Sequence, residues 1–154
     1  MKYFVYTIIG IVAVAVIAGF FIVGSPKEER LRRFDERRVQ DLQFIQGEIV
    51  YHWQNKTKLP ENLAALRDDI RGVVAPKDPE TGADYVYEIK GPESFSLCAN
   101  FNRPSLSESD AGLRPAVPYP AEPYYVQQNW EHKDGFVCFD RKIDRDLYPP
   151  TKPR

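Results

Sequence analysis

The chain is short of the residues from which most catalytic sites are assembled. Its 154 residues include two histidines, two cysteines and one methionine. His52 and His132 lie far apart in sequence, no glycine-rich phosphate loop occurs, and no serine or cysteine stands in a nucleophile motif. The acid, base and nucleophile of a recognisable enzyme are therefore missing, and neither catalysis nor a cofactor is expected. Asp68-Asp69 is an acidic pair, but neighbouring carboxylates on a short helix are ordinarily solvated. Charge is also lacking in either direction: 21 Lys and Arg face 22 Asp and Glu, for a formal net charge of -1 and a pI near 6.1. Without a basic footprint, nucleic acid is not an expected partner. No internal repeat is visible.

One further absence is local. From Tyr3 to Val23, "YFVYTIIGIVAVAVIAGFFIV", there is no charged residue, and the run matches the roughly 20 residues a helix needs to cross a bilayer. Tyr3, Phe4 and Tyr6 suit an interface. A cleavable signal peptide is the alternative, since Ala13-Val14-Ala15 and Val16-Ile17-Ala18 offer small residues, but the apolar run continues past both. The expectation is a transmembrane anchor over 1–24 that touches membrane lipid through 3–23. About 130 residues remain, enough for one modest domain over 25–154. The flank at 27–38 carries Lys27, Arg30, Arg32, Arg33, Arg37 and Arg38, which by the positive-inside rule argues for a cytosolic domain.

After Gly24, Ser25 with Glu28 forms a capping box and Pro26 fits the first helical position. Leu31, Phe34, Leu42, Ile45, Ile49 and Trp53 then recur at helical spacing, with Arg38 a gap on the stripe. This predicts a long amphipathic helix ending near "NKTKLP", where Pro60 disfavours helix before it. A second, short helix with Leu63, Leu66 and Ile70 on one face is expected up to Gly72. "YVYEI" (Tyr85 to Ile89), "FSLCANF" (Phe95 to Phe101) and "FVCF" (Phe136 to Phe139) read as strands. Between the second and third lies a proline-rich loop, 102–128, which favours extended chain. It is either plain surface or, with Tyr119, Tyr124, Tyr125 and Trp130, a docking segment. Asn55-Lys56-Thr57 matches a glycan acceptor pattern.

Alternation places Cys98 on the strand face opposite Phe95, Leu97, Ala99 and Phe101, and Cys138 opposite Val137 and Phe139. A Cys98–Cys138 disulfide would close a loop of about 40 residues, worth on the order of 4 kcal/mol by the chain-entropy model. It also argues for an extracytoplasmic domain, against the basic flank. Free thiols are the alternative, and a zinc site from His52, His132 and both cysteines a lesser one, because neither pair has finger-like spacing. Asp134, Asp140, Asp144 and Asp146 follow no recognised calcium loop, so no metal is assigned.

A long apolar helix, its amphipathic continuation, "LPENLAAL", "PKDPETGADYVYEIKG" and "FSLCANF", in that order, resemble the type IV pilin-like superfamily, above all the major pseudopilin of type II secretion. The matching residues are Leu59, Pro60, Leu63 and Leu66, then a turn at Pro76, Lys77, Asp78, Pro79 and Gly82 and a strand with Tyr85 and Tyr87. Similar domains occur on uncharacterised bacterial membrane proteins. The resemblance implies an α+β, pilin-like fold, with a long helix packed on a small antiparallel sheet, held at the inner membrane as a single-pass protein with its domain outside. The leader departs from the family pattern: Gly19-Phe20 lacks preceding basic residues, and 3–23 has no acid. Processing and filament assembly are not carried over. The function expected is that of a non-enzymatic, membrane-anchored structural or interaction protein of the cell envelope, an accessory to a type II secretion or type IV pilus-like system with protein partners there. The alternative is a single-pass protein whose ligand-binding or cytosolic domain is unrelated to secretion.

Overall fold

The computed structural model describes residues 2–23, 26–105 and 129–151. Gly24, Ser25 and the body of the proline-rich loop, including Tyr119, Tyr124 and Tyr125, lie outside them. The chain divides into two compact units, Met1–Arg33 and Phe34–Arg154.

The first unit holds helix α1, Lys2–Val23, and the opening turns of helix α2, Pro26–Lys56. A long, mainly apolar run without proline makes α1, in spite of Gly10 and Gly19. Proline at the first position and Glu28 and Glu29 in the first turn suit the start of α2, where the missing N–H costs nothing and the helix dipole favours acid. Tyr3, Phe4 and Tyr6 are exposed. The expected transmembrane helix is corrected here: among the described residues no helix is long and apolar enough to cross a membrane.

The second unit is α+β. Among the described residues its sheet has three strands, β1 (Val86–Gly91), β2 (Ser94–Phe101) and β3 (Gly135–Lys142), in the order β1-β2-β3. Both pairings are antiparallel. Phe95, Leu97, Ala99 and Phe101 of β2 join Phe139 and Ile143 and the helix residues Leu42, Ile45, Ile49 and Trp53 in one buried cluster. The helical period of the last four and the two-residue period of the strand thus meet in the same core. Each buried Leu, Ile or Phe side chain among them contributes about 1.5–3 kcal/mol of burial.

Helix α2 stops at Thr57, whose φ of 54° is left-handed and whose N–H reaches Trp53 O at 2.6 Å, an αL-type end. The C-terminal stretch closes over this end, with Thr151 N donating to Gln54 O at 2.9 Å and Gln54 Nε2 to Pro149 O at 3.2 Å. The expected second helix is only the four-residue 3-10 turn Leu63–Leu66, capped by Asn62. Beyond it Asp68 and Val73 pair across a tight turn. Ile70, expected on an apolar face, projects from that turn with 99% exposure. The Asp68 carboxylate explains the break: it accepts the amides of Ile70 and Arg71, offering the backbone a turn in place of helix.

Candidate functional site

The "PKDPETG" turn and the irregular position on the α2 stripe prove to be one structure. Arg38 is 2% exposed, and its guanidinium is used on every side. Nε donates to Asp78 Oδ2 at 2.6 Å and Nη1 to Asp35 Oδ1 at 2.8 Å. Nη2 donates to Asp78 Oδ1 at 3.1 Å and Glu80 Oε2 at 2.7 Å. The planar fork matches the Asp78 carboxylate, which is the geometry that makes arginine the usual choice for a desolvated pair.

Asp78 serves the turn as well as the arginine. Its Oδ1 accepts the amides of Glu80 and Thr81 at 3.0 and 2.8 Å and the Thr81 hydroxyl at 3.1 Å. Gly82 N–H donates to Asp78 O at 2.8 Å, and Gly82 has a φ of 71°, a conformation that costs a side chain about 1 kcal/mol or more. Pro79 lies within this turn, which the Lys77↔Asp84 bridge closes, and Pro76 immediately precedes it. The helix end of the clamp continues into the next loop, since Asp35 accepts the amides of Asn102 and Arg103 at 2.9 and 3.0 Å. The Asn102 side chain donates to Glu80.

Charge states follow this geometry. Burial alone would raise the Asp78 carboxyl, but the Arg38 guanidinium and the turn amides outweigh it and bring it down to about 2. The Asn102 amide, then Arg38, hold Glu80 below the usual carboxylate range. Arg38 resists burial in the same way: its three carboxylate partners raise it above its ordinary value. Next to it, Tyr85 donates its hydroxyl to Asp41 Oδ2 at 2.9 Å, and burial, then that carboxylate, push the phenol far above its normal range. Tyr87 donates to Pro60 O at 3.0 Å, and burial pushes it up to about 12. Tyr87 therefore ties β1 to the "LP" segment, and Tyr85, immediately before β1, ties the entry of that strand to α2.

Beside the clamp lies an open groove of about 370 Å³ bordered by Asp78, Tyr85, Val86, Cys98, Asn100 and Phe136. Its charged groups are already committed, Asp78 and Glu80 to Arg38 and Asp84 to Lys77 at 3.2 Å. No buried side-chain nitrogen or oxygen among the described residues lacks a partner.

Cys98 and Cys138 are joined in a disulfide with Cα atoms 4.0 Å apart, directly opposite one another on β2 and β3. This meets the expectation from strand alternation: the bridge sits on the sheet face away from the core, and its sulfurs are not available as zinc ligands. The histidines have other partners. Nδ1 of His52 contacts Lys58 O at 3.1 Å, and burial holds its pKa below the usual value. The His132 ring stacks on Phe101 at 3.7 Å. Among the described residues no group of three or more His, Cys, Asp or Glu could hold a metal ion. Trp130, the one described member of the candidate docking set, packs on the core, 4.8 Å from Phe139 and under the Arg141 guanidinium at 4.3 Å.

Sequence reasoning missed Arg38 as a site residue. A signal was present, a cation on an otherwise apolar stripe in a chain with a later Asp-Pro-Glu turn, but nothing local connects the two. No family model matches this chain, nor does any curated protein or solved structure.

Proposed function

We propose that the chain is a non-enzymatic structural or interaction protein of the cell envelope, pilin-like in build, with its disulfide-bonded unit on the extracytoplasmic side. It would serve as an accessory to a secretion or pilus-like assembly, with lipid as the partner suited to the uncharged, apolar sequence of residues 3–23. The observation that carries this reading is how polar groups are spent. Arg38, Asp35, Asp78 and Glu80 bind one another and the backbone of two loops, and the shifts of Arg38, Asp78 and Glu80 run away from neutrality rather than towards it. A general acid or base needs the opposite. The helix-on-sheet core and the disulfide favour the same reading, because a cross-strand bridge is durable where thiols are not kept reduced.

The test is made in intact cells. Alkylation of acid-quenched cells before reduction should leave Cys98 and Cys138 unlabelled, and protease added to spheroplasts should digest the unit from Phe34 onward. Full labelling of both cysteines, together with protection until lysis, would place the domain in the cytosol and end the envelope reading. A photo-crosslinker at Ile70 should then yield protein adducts; recovery of uncrosslinked chain alone would remove the interaction role.

A further inference from the structure

The two halves of the disulfide are not equivalent, and the sheet register shows why. Val86, Cys98 and Cys138 are aligned across the three strands on the face away from the core. Cys98 is in the central strand and 1% exposed, with Val86 on one side and its partner cysteine on the other. Cys138 is exposed and belongs to β3, an edge strand with no further strand beside it among the described residues. Thiol–disulfide exchange requires the attacking thiolate to approach along the extension of the S–S bond, so access to each sulfur comes from the side opposite its partner. Approach to Cys98 crosses Val86 on β1. Approach to Cys138 comes from beyond the sheet edge.

The leaving side is prepared as well. Ser96 Oγ lies 3.8 Å from Cys98 Sγ and is itself 1% exposed. Its hydroxyl can donate to a thiolate that forms on Cys98. Hydrogen bonding to the charged form lowers a thiol's pKa, and a lower leaving-group pKa speeds departure.

We propose that the Cys98–Cys138 bridge is a one-sided thiol–disulfide exchange site, attacked at Cys138 with Cys98 as the leaving sulfur. An incoming thiolate forms a bond to Cys138 Sγ, the S–S bond breaks, and its electron pair goes to Cys98 Sγ, where Ser96 holds the thiolate until water supplies a proton. A second thiol then attacks the incoming sulfur of the mixed disulfide and releases Cys138. Over both steps two thiols are oxidised to one disulfide and the protein bridge is reduced to two thiols. By microscopic reversibility, oxidation of the folded unit passes through the same adduct on Cys138, closed by Cys98.

The experiment uses the full-length folded chain and glutathione as the probe. After brief exposure, acid quench and alkylation, peptide mapping reads which cysteine carries glutathione. The adduct should favour Cys138 by at least about tenfold, because rate depends on which sulfur can be reached. The preference should fall towards parity in urea. Val86→Ala should raise the share on Cys98, and Ser96→Ala should slow adduct formation severalfold without moving it from Cys138. Equal adducts in the folded chain would overturn the proposal, as would adducts mainly on Cys98. So would an absence of any adduct while the unfolded chain reacts. None of these readouts depends on cellular location, so they fail or succeed separately from the envelope reading.

Discussion

Replacing Arg38 by alanine tests whether the clamp holds the second unit together. The substitution leaves Asp35 and Asp78, 5% and 9% exposed, close to each other without their shared cation. Truncating one partner of a buried ion pair costs about 3–5 kcal/mol, because the remaining charges stay desolvated and unpaired. The pH dependence of the wild type sets an independent scale. Asp78 is held down to about 2 in the fold against an ordinary value of 3.8; because the folded value is depressed, its contribution is present above pH 4 and lost as pH falls through 2. That difference corresponds to roughly 2 kcal/mol. In Arg38→Ala the stranded carboxylates should instead take up protons on folding, so the deficit at pH 7 should narrow by pH 3. Urea unfolding of the full chain, followed by fluorescence of the buried Trp53, measures both variants at both pH values. A loss under about 1 kcal/mol at pH 7 would refute the reasoning, since surface pairs already account for that much. An equal loss at pH 3 would show that lost packing, not charge, is responsible.

Three further outcomes are expected. Reduction of Cys98–Cys138, whose sequence separation is 40, should cost on the order of 4 kcal/mol in urea titrations at matched pH; an unchanged midpoint would mean the reduced chain keeps the same constraints. Ultraviolet titration of tyrosine should leave Tyr85 and Tyr87 protonated past pH 10 in the folded chain. Because both folded values are raised, stability should be intact below pH 10 and decline above it, and Tyr85→Phe should lessen that decline; a flat profile would contradict the buried hydroxyls. Ile70→Ser should change stability by no more than about 0.5 kcal/mol, whereas a loss of 2 kcal/mol in thermal unfolding would mean that Ile70 is packed after all.

The elements with a clear period were legible beforehand. Leu42, Ile45, Ile49 and Trp53 announce one buried helix face, and all four are at most 2% exposed. The three strands formed where alternation and turn residues placed them, the first starting one residue late at Val86 and all three running one to three residues beyond an expected end. The short segment after Pro60 misled because Leu63, Leu66 and Ile70 fit a helical face, while the Asp68 turn that overrides it depends on carboxylate-to-amide bonds rather than on hydrophobic spacing. Trp130 gave no hint of its place, since its partners Phe139 and Arg141 belong to a strand that follows it. Residues 3–23 read correctly as helix from their apolar length and lack of charge and proline; crossing a membrane was a further step that the described helix does not support.

The sequence by itself determined the helix stripe, the alternating strands and, through that alternation, the shared face of Cys98 and Cys138, because each of these is a property of residues a few positions apart. Tertiary structure decided what Arg38 is for. Its main partner stands 40 residues away, beyond any local periodicity, and only when α2 lies against the sheet do Asp78 and Glu80 arrive at the guanidinium. The same packing made the bridge asymmetric, since register places Val86 beside Cys98 and puts Cys138 on β3, the edge strand among the described residues.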